Sequence, residues 1–535
     1  MDSAIRYVVQ NDKKLKYALL ALGTLLLLYG MFRDSSWLTG IRDCMAMNGI
    51  CVRSRVLNFA SIIITSAGCL FTAVALRGGP AVFVSKNRFE LFLEIAIFVL
   101  MVLFLISSQV RFLDNDEYEH LHNAWLMIEG TIPYFSLKFW HAPLLEWIIA
   151  FFMGITGENT IIMQVMRLFI FCVSCGSLLL VYLISKELYQ SRNQALIAVL
   201  LIVSNYVWIL KSPEIRPDNL MLFFALLSFW FLVKYYAHFQ AKYLLICVLC
   251  AVLSMLGKQN AAVFYLPVGL VFAYDYFVWR RRGGLKVLIM GIVAIGLLLL
   301  IDPVRSFLMI NIDRHLVSHS WKTSPNGFLG TALGFNPAVF ILFVLQFFFS
   351  FKLPDRYKPF RYYLLAVPIV CFVFLYIMNR PLYQEMLVMI VFMSIGGANV
   401  LVSIVRKFKW KLEYIVAGVI MLPVFYYMPT TGLAKTWIKD LHTTKMILRM
   451  SRGDDLVYDS FGKPIFRHSP MEPNYLMYRN QSRNFKRLKE LKESGVKFLV
   501  VDGYTNYLPL ETRKWFYDNF RPSKVDPNIW VRRKE

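Results

Sequence analysis

The chain reads as an α-helical polytopic membrane protein carrying a small C-terminal α/β domain. Three observations predict this. Of its 535 residues, 57% are hydrophobic and only 17% are charged, and the mean hydropathy is +0.52; soluble domains hold roughly 45–50% apolar residues. Apolar runs of about 17–25 residues, long enough to cross hydrocarbon, recur with short polar turns between them. From residue 429 onward the apolar runs shorten and charge becomes denser.

Run length gives about thirteen spans, near residues 16–32, 56–76, 89–107, 161–184, 195–210, 219–236, 243–257, 261–278, 286–301, 337–351, 361–378, 383–403 and 411–428. The first follows Lys13, Lys14 and Lys16. It is too long for a signal-peptide core and lacks a small-residue cleavage site, so it is expected to be retained. The formal net charge of +24 does not imply nucleic acid. Lys and Arg gather beside the apolar runs, as the positive-inside rule requires, and neither a zinc-finger nor an RNA-binding motif occurs.

With a cytoplasmic N-terminus, the short inside loops are basic: Arg77/Lys86/Arg88, Lys186/Arg192, Arg280 to Lys286, Lys352 to Arg361 and Arg406 to Lys411. The outside loops are longer and mix acids with bases. An odd number of spans then puts the C-terminus outside. The run 143–156 (PLLEWIIAFFMGIT) is too short to cross, and crossing there would invert every later loop. It is expected to lie along the outer interface. The organisation is two N-terminal spans with loops over 1–88, a membrane module over 89–428 and an outer domain over 429–535. In that domain Val496 to Val501 reads as a buried strand ending at the Asp502-Gly503 turn. Asn484 to Glu493 reads as a helix stopped by Gly495, and 454–459 and 528–532 as further strands.

Eight cysteines show no metal spacing. Cys172, Cys175, Cys247 and Cys250 fall inside apolar runs as packing residues, whereas Cys44 and Cys51 share an outside loop that allows a disulfide. Asn480-Gln-Ser is a glycosylation sequon of a kind common by chance. No Gly-rich phosphate loop, Ser/His/Asp triad or matching halves of an inverted-repeat transporter are found.

The segment after the third span carries the chemistry. It runs Asp114-Asn-Asp-Glu-Tyr-Glu-His-Leu-His, then Gly130-Thr-Ile-Pro-Tyr, then His141-Ala-Pro-Leu-Leu. Asp114, Asp116, Glu117 and Glu119 gather at the mouth of a membrane helix, where carboxylates are costly and tend to be functional. The alternatives are a solvated acidic loop, or a metal held by these acids with His120 or His122. Further on, Glu214-Ile-Arg-Pro-Asp-Asn opens an outward-facing span. Asp218 there either acts in a site or favours the helix dipole. Lys258 sits between two spans with almost no loop; it either meets a phosphate or snorkels.

An Asp-Glu pair after an outward-going span, then Gly-x-x-Pro-Tyr, then His-x-Pro-Leu-Leu, resembles the first external loop of GT-C glycosyltransferases. The likeness is to the group containing protein O-mannosyltransferases and aminoarabinose transferases. Ala142 stands where that pattern often has Pro. The resemblance covers roughly 89–430 and includes Asp218, the Leu256-Gly-Lys segment and the outer loop 302–336 with Asp313-Arg-His.

It implies sugar transfer from a polyprenyl-phosphate donor to a hydroxyl acceptor on the extracytoplasmic face. Asp116 would be the general base, with Glu117 or Asp114 as alternates. His141, Arg216, Asp218, Lys258, Arg314 and Tyr383 would bind substrate, with Arg216 and Lys258 on the phosphate. No cofactor is required, although a divalent metal is possible. The expected partners are the lipid-linked donor, the acceptor and membrane lipids, not nucleic acid. The expected location is a bacterial or archaeal cell membrane. A transporter or lipid flippase is the rival reading, as is a scaffold that only binds partners. The ionisable residues collect near one face, which favours the enzyme.

Overall fold

A computed structural model of the chain describes residues 88–110, 113–131, 142–279, 293, 296, 300, 337–349, 353–377, 386–408, 438–459, 463–469, 488–501, 505 and 508–533. The expected spans at 16–32, 56–76 and 411–428, and nearly all of 286–301, lie outside these residues, as do Cys44, Cys51 and the sequon. The chain divides into two compact units, residues 1–110 and 111–535. The described part of the first is one helix, α1 (Arg88–Val110).

In the second unit, five helices are long and apolar enough to cross a membrane among the described residues: 161–189, 217–238, 261–278, 355–375 and 386–408. The chain first forms α2 (Asn115–Ile128) and α3 (Leu144–Thr156). The long α4 (Ile161–Tyr189) follows. α4 ends at Gln190 in a left-handed conformation, and Ser191 then caps α5 (Arg192–Val203), its Oγ accepting from Gln194 N at 3.4 Å.

The single span expected over 195–210 is two helices. Ser204 closes the first, and Asn205 caps the second, α6 (Tyr206–Lys211), its side chain accepting from Val207 N and Trp208 N at 2.9 and 3.4 Å. Asn is a strong N-cap because its carbonyl satisfies donors that the first turn leaves open. An apolar-run count sees residue type but not that competition. α7 (Pro217–His238) starts with Pro at its first position, where the missing N–H costs nothing.

α7 packs against α4 and α8 (Ala241–Gly257). The span 261–278 is interrupted at Leu266-Pro267 into α9 (Ala261–Tyr265) and α10 (Val268–Trp279). α11 (Pro337–Leu345), α12 (Lys358–Ile377) and α13 (Met386–Phe408) complete the described bundle. Phe229, Phe264, Tyr363 and Phe392 form its aromatic centre, with ring centroids 4.7–6.0 Å apart.

α3 has the short length expected over 143–156. Leu145, Glu146, Ile149 and Met153 turn inward, while Trp147, Phe151 and Ile155, spaced by four, are exposed on the other side. At 13 residues α3 is shorter than a crossing needs.

The C-terminal domain holds a four-stranded sheet of order β1-β2-β4-β3, from β1 (Val457–Tyr458), β2 (Phe498–Val500), β3 (Phe520–Pro522) and β4 (Ile529–Arg532). β1 and β2 are parallel, whereas β4 runs antiparallel to both β2 and β3. Gly495 stops the preceding helical turn with φ of +72°, a region open to Gly at little cost. Strands expected at 454–459, 496–501 and 528–532 form as shorter segments. β3, α14 (Ile438–Met450) and α15 (Leu510–Asn519) were not anticipated. Asp502-Gly503 lies outside the described residues.

Candidate active site

The acidic segment folds as a helix start. Asp114 is the N-cap of α2, and its carboxylate accepts from Asp116 N at 3.2 Å. Glu117 returns a bond from its Oε2 to Asp114 N at 2.8 Å. This is a capping box, written in the sequence as acid-x-x-Glu. It fixes where Asp116 points, because the backbone on either side is held.

Glu117 is fully buried. Arg167, six residues into α4, meets it with two nitrogens, Nε to Oε1 at 3.1 Å and Nη2 to Oε2 at 2.8 Å. Ile215 N also donates to Oε1, at 3.0 Å. Four donors on one carboxylate lock α2 to α4 and to the turn before α7.

That turn brings the cations. Arg216 precedes Pro217 and so takes an extended backbone, φ −138° and ψ 146°, since proline crowds the helical region of the residue before it. Its Nη2 lies 2.6 Å from Asp116 Oδ2 and 3.2 Å from Asp114 Oδ1. Its Nε lies 2.7 Å from Glu214 Oε2 at ion-pair distance, although not in line for a hydrogen bond. Lys211 Nζ donates to both Glu214 oxygens at 2.9 Å and stands 3.6 Å from Asp114.

A second pair lies beside this network. Lys258 Nζ donates to Asp218 Oδ1 at 2.7 Å, with both side chains buried. Gly257 allows the approach: a Cβ there would sit 3.0 Å from Met221 N. Ser254 Oγ ties the same turn to Met221 O at 2.9 Å. A small, partly open pocket lined by Asp218, Asn260, Phe264, Cys371, Phe374 and Leu375 among others adjoins this pair.

The other face of α2 meets the C-terminal domain. His122 Nδ1 lies 2.7 Å from Ile465 O, and Trp125 packs on His468 with centroids 4.8 Å apart. Ile465 and Phe466 enter the core formed by α2, α3 and α4. Arg467 Nη1 reaches Glu158 at 3.0 Å. His120 Nδ1 pairs with Glu146 Oε1 of α3 at 2.7 Å.

Burial opposes charge on His120, but the Glu146 carboxylate, with Glu119 and Asp116 beyond it, holds its pKa above the ordinary imidazole value. Burial pushes His122 down to about 4; the Ile465 carbonyl opposes this and the charge of His468 adds to it.

Of the anticipated residues, Asp114, Asp116, Glu117 and Arg216 form one network, and Asp218 with Lys258 the adjoining pair. His141, Arg314 and Tyr383 lie outside the described residues. Sequence reasoning missed Arg167, Lys211 and Glu146 as partners. Arg167 carried a signal, being an ionisable residue inside an apolar run. The metal grouping of acids with His120 and His122 does not form. Both imidazoles turn to other partners, and among the described residues no three His, Cys, Asp or Glu side chains are placed to hold an ion. Asp114, Asp116 and Glu214 already face Arg216 or Lys211, a donor set poorly suited to a divalent cation.

Comparison with known proteins agrees with this architecture. Residues 140–307 match the family described as dolichyl-phosphate-mannose-protein mannosyltransferase, a stretch that includes Arg167, Arg216, Asp218 and Lys258 but not Asp116. The crystal structure of ArnT from Cupriavidus metallidurans bound to undecaprenyl phosphate is similar at a TM-score of 0.57 and 13% identity, covering 84% of this chain and 98% of that one. Its apo state gives 0.53 and 13%, covering 82% and 97%. An uncharacterized protein of Aquifex aeolicus (strain VF5) is 26% identical over 132 residues, 25% of this chain; the match spans about a quarter of that relative's length. The chain thus has the GT-C-like fold of ArnT, and within it residues 140–307 resemble the mannosyltransferase family.

Proposed function

We propose that the protein transfers a sugar from a polyprenyl-phosphate donor to a hydroxyl acceptor at the extracytoplasmic membrane face, with Asp116 as general base. The observation that carries this reading is the contrast between Asp116 and the other acids. Its side chain is 34% exposed, whereas those of Glu117, Glu214 and Asp218 are at most 3% exposed. A base must reach a water-borne acceptor, and Asp116 is the carboxylate of the network most open to one. Glu117, with four donors on its two oxygens, positions Asp116. Asp114, 25% exposed and bound into the cap, is the alternate base.

In the reaction, the acceptor oxygen attacks the anomeric carbon as its proton passes to Asp116. The bond from that carbon to the phosphate oxygen breaks, and the electron pair leaves with the polyprenyl phosphate. A phosphate is a good leaving group, so one base is enough. Arg216 and Lys258 would stabilise the charge gathering on the phosphate. An ammonium has three donors, so the bond from Lys258 to Asp218 is compatible with a phosphate contact. The neighbouring pocket is mostly apolar and has Asp218, the partner of Lys258, in its wall, a lining compatible with a lipid chain.

The test is covalent transfer. Purified protein in lipid, given polyprenyl phosphate carrying a radiolabelled hexose or pentose, should move label from the organic phase onto the acceptor. A transporter or flippase would move intact donor across vesicles and leave the glycosyl–phosphate bond uncut.

A further inference from the structure

A donor phosphate meets an obstacle in this site. Among the described residues here, every cation is already held by a carboxylate: Arg167 by Glu117, Lys211 by Glu214, Lys258 by Asp218, and Arg216 by Glu214, Asp114 and Asp116. Five acids face four bases, so the cluster offers no net positive charge. Binding a phosphate must therefore displace or share a carboxylate.

The displaced carboxylate should be the one that loses least. Glu117, Glu214 and Asp218 are buried, and stripping the partner from a buried charge is strongly unfavourable. Asp114 is bound into the helix cap. Asp116 is the most exposed, and water can take over its charge. It also meets Arg216 through Nη2, the nitrogen it shares with Asp114, while Glu214 keeps its place beside Nε.

We propose that Arg216 is an exchange site, on which the donor's phosphate takes the place of Asp116 and thereby frees that carboxylate to act as the base. This rests on the assignment of Asp116 above and adds a control to it. In the resting enzyme Asp116 Oδ2 is occupied by the Arg216 guanidinium at 2.6 Å, so that oxygen is not open to an acceptor hydroxyl. Phosphate on Arg216 removes that pairing at the moment the anomeric carbon arrives. Donor binding thus precedes a competent acceptor complex, and access to the base follows donor occupancy.

The exchange makes an unusual prediction: removing the base should improve donor binding. Undecaprenyl phosphate without sugar is the probe, titrated into detergent-solubilised full-length protein. For a partly exposed ion pair the competing contact is modest, so Asp116→Asn should tighten binding about three- to tenfold while losing transfer. Asp116→Ala should do the same and serves as the second variant. Arg216→Gln should weaken binding. Unchanged or weaker binding in Asp116→Asn and Asp116→Ala, with transfer lost, would overturn the exchange and leave the base assignment standing. Retained transfer in those variants would instead overturn the base assignment, whatever the binding showed.

Discussion

Arg167 and Glu117, fifty residues apart, meet as a two-point ion pair with contacts of 3.1 and 2.8 Å, buried at the junction of α2 and α4. Removing one member of a buried ion pair takes the counter-charge from the other, at a cost of about 3–5 kcal/mol. Arg167→Gln and Glu117→Gln should each lower the melting midpoint in detergent and slow transfer. The double variant should regain part of the stability, since it leaves no orphan charge. A double-mutant cycle checks this; additive losses would show that the pair does not couple the two helices.

The pair Lys258 and Asp218 should behave differently from a snorkelling lysine. Lys258→Ala leaves Asp218 buried beside Met221 and should cost both stability and donor use. Losing a charge-assisted phosphate contact costs on the order of 1.5–3 kcal/mol, or about one to two decades in donor affinity. Combining it with Asp218→Asn should restore melting but not donor affinity. Recovery of both would reduce Lys258 to a structural counter-ion.

Gly257 offers a test of geometry without touching a charge. Gly257→Val places methyl groups against the backbone of Met221, which a Cβ alone would approach to 3.0 Å. α8 must then retreat from α7, carrying Lys258 from Asp218. Overpacking of this kind costs about 1–3 kcal/mol. The expected result is a lower melting midpoint and weaker donor use together.

Two histidines on α2 should give opposite pH limbs. His122 is pushed down to about 4 from its ordinary 6.5. Between those values the unfolded chain binds more protons, so stability rises with pH across that window and is lost as pH falls through it. Roughly 2 kcal/mol of this contribution should be gone at pH 5. The pKa of His120 is raised. Its contribution is complete below 6.5 and fades as pH climbs through the raised value. His122→Gln should flatten the acid limb of the melting profile and His120→Gln the alkaline limb. If each variant flattened the other limb, the partners Ile465 and Glu146 would be misassigned.

Much of this was legible in sequence because it is local. Run lengths placed spans at 161–184, 219–236 and 383–403, where the helices 161–189, 217–238 and 386–408 form, and marked 143–156 as too short to cross, where α3 forms. The pre-proline position of Arg216 and the acid-x-x-Glu spacing of Asp114 and Glu117 are equally local, although the second was read as chemistry when it is first a cap. What sequence could not supply was partnership at a distance. Nothing in order or spacing joins His122 to Ile465, 343 residues away, or Glu117 to Arg167. The break at Ser204-Asn205 was missed because apolar count outweighed capping chemistry. β3 was missed because three residues with a Pro at the sheet edge carry almost no periodic signal.

The most direct measurement is the single-turnover rate of sugar transfer by Asp116→Asn, with donor saturating and folding confirmed by the melting midpoint. A general base contributes typically 10²–10⁴-fold, so the rate should fall by about that factor. Glu117→Gln, if folded, should lose less, because its carboxylate positions the base and does not meet the acceptor. A wild-type rate in Asp116→Asn, with the loss appearing in Asp114→Asn, would contradict the account and move the base by two residues.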